Sequence, residues 1–155
     1  MVEFEDADFF LSELEEYKEF VRQEALNVFR EISSETFIKI AKRTPVRTGS
    51  LISAWDIEIN KQGRGKAGVR GITKQTGISL AKGRTGKLHR LKITDTVYIT
   101  NNMSYAHIVE YGLYRPGPNT TPDGYSRQAP HGMVRVTLAE MRMKYAEYLK
   151  RTFGK

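Results

Sequence analysis

From Asp8 to Arg43 the apolar residues Phe10, Leu14, Tyr17, Val21, Ala25, Val28 and Ile32 recur at steps of three and four. That spacing lines them along one face of a 3.6-residue helix for about six turns, so the chain opens with a long amphipathic helix over about 8–43. An acidic start and Lys39, Lys42 and Arg43 near the end match the macrodipole. Ser12 with Glu15 forms a candidate capping box, with Asp6 and Asp8 as alternative caps. Ser33-Ser34 is the weak point, because Phe29, Phe37, Ile40 and Ala41 continue the stripe on a slightly rotated face. A bend or break is expected there, and Thr44-Pro45 ends the helix.

A stripe of that length needs something to cover it, and 155 residues allow one modest core, read here as a single domain over 1–155. With 39% hydrophobic and 28% charged residues the chain is expected to fold. The lack of cysteine excludes disulfides, thiolate metal sites and thiol nucleophiles. Met1 to Asp8 carries no signal-peptide pattern and no run of eighteen apolar residues occurs, so neither secretion nor membrane insertion is expected. The sequons at Asn102 and Asn119 are accordingly read as chance.

The net charge of +7 conceals an asymmetry. Up to Glu35 there are 11 acids against Lys18, Arg22 and Arg30, net −8; the rest has 7 acids against 22 bases, net +15. Within it, Lys61 to Lys92 holds ten bases and no acid: Lys61, Arg64, Lys66, Arg70, Lys74, Lys82, Arg84, Lys87, Arg90 and Lys92. Such a stretch attracts either phosphates or an acidic protein neighbour. It has no aromatic residue, which disfavours stacking on bases.

Beyond the helix, Thr48 is a candidate N-cap for a short helix through Ala54, leading into Trp55-Asp56-Ile57-Glu58-Ile59-Asn60. The alternation reads as a strand with Trp55, Ile57 and Ile59 inward and Asp56 and Glu58 in solvent. Lys66 to Arg70 reads as a return strand. Gly71 to Leu91, broken by four glycines, reads as a long basic loop. Thr94 to Thr100 is a further strand. Ser104 is a candidate cap for a short helix over Tyr105 to Tyr111, ended by Gly112 as a left-handed C-cap. Tyr114 to Gln128 is an exposed loop, and a last helix covers about 132–153. The expected class is α+β: the two long helices packed on one face of a small antiparallel sheet.

The catalytic and cofactor motifs are weak. Gly63-Arg64-Gly65-Lys66-Ala67-Gly68 spells a dinucleotide fingerprint, but a strand-like Val69 follows it where a helix should begin. Gly83 to Leu88 resembles part of a phosphate loop but lacks its Ser or Thr. His89, His107 and His131 lie far apart without a carboxylate at ligand spacing, and Asp56 with Glu58 is explained by a solvated strand face. No cofactor, metal or enzymatic activity is expected.

Three blocks nonetheless form an ordered set: Thr44-Pro45-Val46-Arg47-Thr48-Gly49-Ser50-Leu51 with Ala54-Trp55; Asn101 with Tyr105-Ala106-His107-Ile108-Val109-Glu110-Tyr111-Gly112; and Gln128-Ala129-Pro130 before the last helix. Together, over roughly 38–138, they resemble the neck and tail-completion proteins of long-tailed bacteriophages. Arg47 departs from the acidic residue common there, and the basic stretch is longer. Physically, Thr48 and Gly49 would fix a turn, Trp55 would anchor the sheet, and Tyr105, Val109 and Tyr111 would pack the short helix. The resemblance implies a virion protein, assembled in the host cytoplasm, that forms a ring of identical subunits between head connector and tail tube and continues the channel for duplex DNA. Its implied partners are the connector or adaptor, the tail terminator and the tube protein. The alternatives are a terminator or head-closure protein of the same neck and a nonspecific nucleic-acid-binding protein.

Overall fold

The computed structural model describes residues 4–154; Met1 to Glu3, part of the acidic start, lie outside it, as does Lys155. The fold is α+β, with a long N-terminal helix, a C-terminal helix and a small antiparallel sheet. Helix α1 (Phe4–Arg43) runs unbroken for 40 residues, about 60 Å at 1.5 Å per residue. Asp8 and Ser12 lie inside it and do not cap it, the Ser12 hydroxyl donating to Phe9 O at 2.8 Å; the side chain of Asp6 lies outside the described residues. No break falls at Ser33-Ser34, where the helix runs straight through in sequence. Val28, Ser33, Phe37, Ile40 and Ala41 are all buried, and this packing overrides the weak helix preference of serine. Burial is confined to the C-terminal half of α1, and residues 7–20 are exposed throughout.

Thr44 closes α1. Its hydroxyl donates to Ile40 O and accepts the Trp55 indole N–H, both at 2.8 Å. Helix α2 (Ser50–Ser53) starts from Gly49 at φ 87°, with no side-chain cap. Thr48 is therefore not the N-cap, and its hydroxyl meets that of Ser50 at 3.1 Å. Only glycine suits this entry: a Cβ at Gly49 would stand 2.4 Å from Ile72 Cγ1.

Strand β1 (Asp56–Ile59) pairs antiparallel with β2 (Val97–Thr100), Asp56 opposite Thr100 and Ile59 opposite Val97. The return strand expected at Lys66 to Arg70 does not form. That segment runs alongside the α2 region, through Lys66 N–H to Ala54 O (3.0 Å), Val69 N–H to Ser53 Oγ (2.7 Å) and Gly71 N–H to Thr48 O (2.7 Å). Trp55 and Ile57 are buried as expected, but so is Asp56, expected in solvent.

The largest correction concerns the basic segment. Gly71 to Leu91 is not a loop: it holds α3 (Lys74–Arg84) and a 3-10 turn (Thr85–Arg90). Thr73 caps α3, accepting the Thr76 N–H at 3.1 Å. Gly77 lets α3 approach α2, since a Cβ there would lie 2.6 Å from Ile52. Ala81, Leu88 and Leu91 then enter the core with Phe37, Ile40, Ile52 and Trp55. Arg30 of α1 locks the turn by donating to His89 O (3.1 Å) and Leu91 O (3.3 Å).

Helix α4 (Ala106–Tyr111) ends at Gly112 with φ 65°, the left-handed C-cap expected. Tyr105 occupies its N-cap position without a side-chain bond, so Ser104 does not cap it. Helix α5 (Val134–Phe153) runs antiparallel along the buried half of α1. Arg43 meets Thr137 and Glu140, Lys39 meets Glu140, and farther along Val28 and Ile32 face Tyr145 and Tyr148. Paired Lys39 and Arg43 pull the Glu140 carboxyl from 4.5 down to about 2.

Candidate partner surface and the framework beneath it

The first motif block is hydrogen-bonded to both of the others, across up to 82 residues of sequence. Asn101 donates to Leu51 O at 2.9 Å and accepts Met103 N–H at 3.0 Å, tying the second block to the first. Gln128 brackets Val46, accepting its N–H at 2.9 Å and donating to its carbonyl at 3.3 Å, which ties the third block to the first.

Glu110 joins the second block to α5. Its buried carboxylate accepts the backbone N–H groups of Met133 (2.7 Å), Val134 (2.8 Å) and Arg135 (2.9 Å). These are the donors that a helix start leaves without intrahelical partners, and a negative charge at that end also suits the macrodipole. Gly132, at φ 83°, lets the chain pass over this carboxylate; a Cβ there would lie 2.6 Å from Glu110 O. Arg135 closes the arrangement from outside, donating to Glu110 O at 2.9 Å and stacking over Tyr111 at 4.6 Å. Tyr111 is thus exposed under a guanidinium instead of packed on the sheet, because Gly112 turns the chain out immediately after it. Tyr105 and Ala106 are partly buried against the core and Val109 is fully inside; Pro45 is half-buried and Pro130 lies at the surface.

Four of the ten bases of the 61–92 segment are built into the fold. Lys74 donates to Thr44 O, and burial lowers its ammonium pKa. Arg84 donates to Ser53 O (2.8 Å) and to Trp55 O. Lys87 reaches Asp56 (3.2 Å), Ile57 O (3.2 Å) and Glu58. Partial burial works against the Lys87 charge, but the hydrogen bonds it donates to Glu58 and Asp56 outweigh this and raise its pKa. Lys66 lies 3.7 Å from the same Asp56. Asp56 and Glu58 are therefore the anchor of a basic side chain, not a solvated face.

The other six, Lys61, Arg64, Arg70, Lys82, Arg90 and Lys92, are exposed and make no ion pair among the described residues. Arg90 and Lys92 share with His89, Lys87, Glu58 and Asp95 the wall of an open groove beside β1. His89, His107 and His131 are all exposed and on separate elements. Among the described residues no three His, Cys, Asp or Glu side chains come together as a metal site would require. Nor is any helix among them long and apolar enough to cross a membrane. The Gly63 to Gly68 run precedes no helix N-terminus, and Gly83 to Leu88 spans the end of α3 and the 3-10 turn.

The framework residues were legible as motif; the anchoring role of Lys74, Arg84 and Lys87 was not. Their signal is weak but real: Thr73 with Thr76 as a cap, followed by Ile78, Ala81, Leu88 and Leu91 as an interrupted apolar set. Comparison with family models, curated proteins and solved structures finds no match.

Proposed function

We propose that this chain is a structural protein of a tailed-phage virion: a neck or tail-completion subunit that forms a ring joining head connector to tail and continuing the DNA channel. The observation that carries the reading is the linkage of the three blocks. Residues 44–55 are bonded to Asn101 of the second block and to Gln128 of the third, and Glu110 of the second holds the start of the helix that follows the third, so the set that resembles the neck proteins is linked into one framework. In this role the mechanism is geometric: identical subunits packed head to tail close a ring, and no substrate is turned over. The connector, terminator and tube proteins are the proposed neighbours. The six exposed bases supply contacts to them or to duplex DNA in the lumen.

The test is electron microscopy of tails from a phage lacking this protein, before and after adding the purified chain. The reading predicts a ring-shaped cap at the head-proximal end and restored joining to heads. A protein that leaves tails bare but binds duplex DNA with a steep salt dependence makes the nucleic-acid-binding reading correct instead. That second reading is favoured by the six exposed cations that a stretch of sequence without an acid contributes.

A further inference from the structure

The apolar seam between α1 and α5 is longer on α1 than on α5. Helix α5 ends at Phe153 after 20 residues, whereas α1 has 40, so the first four to five turns of α1 project past its partner. The row that reaches the α5 seam as Val28 and Ile32 continues onto this arm as Phe10, Leu14 and Tyr17. There it is bare: Phe9, Phe10, Tyr17 and Phe20 are 62–65% exposed. At 150–250 Å² per aromatic, these four alone offer roughly 500 Å² for burial. A standard interface takes about 800 Å² per partner.

Charge decides what covers the arm. Residues 7–24 carry six acids against Lys18 and Arg22, net −4. Pairing two such arms would set like charges side by side. Glu15 and Glu19 are satisfied locally by Lys18 and Arg22, but Glu13 and Glu16, which border the apolar stripe, make no ion pair among the described residues. The complementary surface is the open flank of α5: Leu138 and Phe153 are 47% and 43% exposed, and Tyr145, 41% exposed, stands between them at the edge of the α1 seam. Arg142 and Lys150 border it and make no ion pair among the described residues. The acids of α5 stand away from this flank: Glu140 is held on α1, and Glu147 lies about half a turn round the helix.

We infer that the α1 arm of one copy docks along the open flank of α5 of a second copy, with Glu13 and Glu16 meeting Arg142 and Lys150. This joins two different surfaces of the same chain, a heterologous contact that propagates around a ring. The inference rests on the ring reading above and names the surfaces that close the ring.

The test uses the full chain and three variants in native mass spectrometry: Glu13→Lys with Glu16→Lys, Arg142→Glu with Lys150→Glu, and all four together. All four side chains are exposed, so folding is expected to survive, and far-UV circular dichroism checks it. The native chain should oligomerise. Each reversed pair should weaken association at least about tenfold, because each brings like charges together. The fourfold variant should recover most of the loss. If only the arm substitutions matter, arms pair with arms and the inference is wrong. A native chain that stays monomeric, substitutions without effect, or a fourfold variant that fails to recover also overturns it. Failure of the neck reading is separate: a chain that assembles through this contact yet ignores tails keeps the interface and loses the neck.

Discussion

Replacing Glu110 by alanine should unfold the last helix more than any exposed substitution can. The side chain serves three consecutive backbone donors at 2.7, 2.8 and 2.9 Å. The Met133 N–H sits among buried atoms, so losing its acceptor costs about 1–3 kcal/mol, the penalty for an unpaired buried donor. Val134 and Arg135 are nearer solvent and water replaces part of the loss, leaving about 0.5–1 kcal/mol each. The sum is about 2–5 kcal/mol, a large share of a stability that for most domains is only about 5–15 kcal/mol. Glu110→Gln keeps one acceptor oxygen but removes the charge facing the macrodipole, and should cost about half as much. Urea unfolding followed by far-UV circular dichroism reads both, as a fall in midpoint at unchanged slope. An alanine variant within about 0.5 kcal/mol of the parent would show that Glu110 does not hold the start of α5, and the framework of the three blocks would lose that tie.

Gly49→Ala should lower stability by about 2 kcal/mol or more, since it combines a left-handed φ with contact on Ile72; thermal melting measures it. Trp55→Phe removes the donor to Thr44 and should cost about 1–2 kcal/mol beyond the change in packing, with Thr44→Val non-additive with it in a double-mutant cycle. Among the bases, Lys87→Met should destabilise the fold by leaving buried Asp56 with only Lys66 at 3.7 Å, while Arg90→Ala and Lys61→Ala should leave the melting temperature unchanged. The Glu140 carboxyl titrates lower folded than unfolded, so its contribution is present above about pH 4.5 and is lost as pH falls toward 2. Glu140→Gln should flatten the pH dependence of stability over that window, and an unchanged profile would refute the assignment.

What could be read from residues alone was the local part of the fold. The periodicity of α1, the alternation of Trp55 to Ile59 and the Gly112 stop are each encoded within a few residues. Helix α3 was not, because Gly77 and Gly83 each lower helix preference by about 1 kcal/mol against alanine. The reason for Gly77, close packing on Ile52, exists only once α2 is in place. Asp56 was read as solvated for a related reason: its cation, Lys87, stands 31 residues away and reaches it only through that unseen helix. Ten bases without an acid read as one set of contacts to phosphates or to an acidic neighbour, yet neutralising Asp56 and Glu58 and binding the carbonyls of Thr44, Ser53 and Trp55 absorbs four of them. The length of α1 was readable, but the bareness of its first turns was not, since it follows from where α5 stops.

The most direct measurement is mass photometry of the purified 17.7 kDa chain, alone and after mixing with tails that lack it. The account predicts one closed multiple of the subunit mass, bound stoichiometrically to the tail, and loss of that species when Glu13 and Glu16 are reversed. A chain that remains a single subunit in both conditions, or that grows into open-ended assemblies without fixed mass and leaves tails untouched, would contradict it.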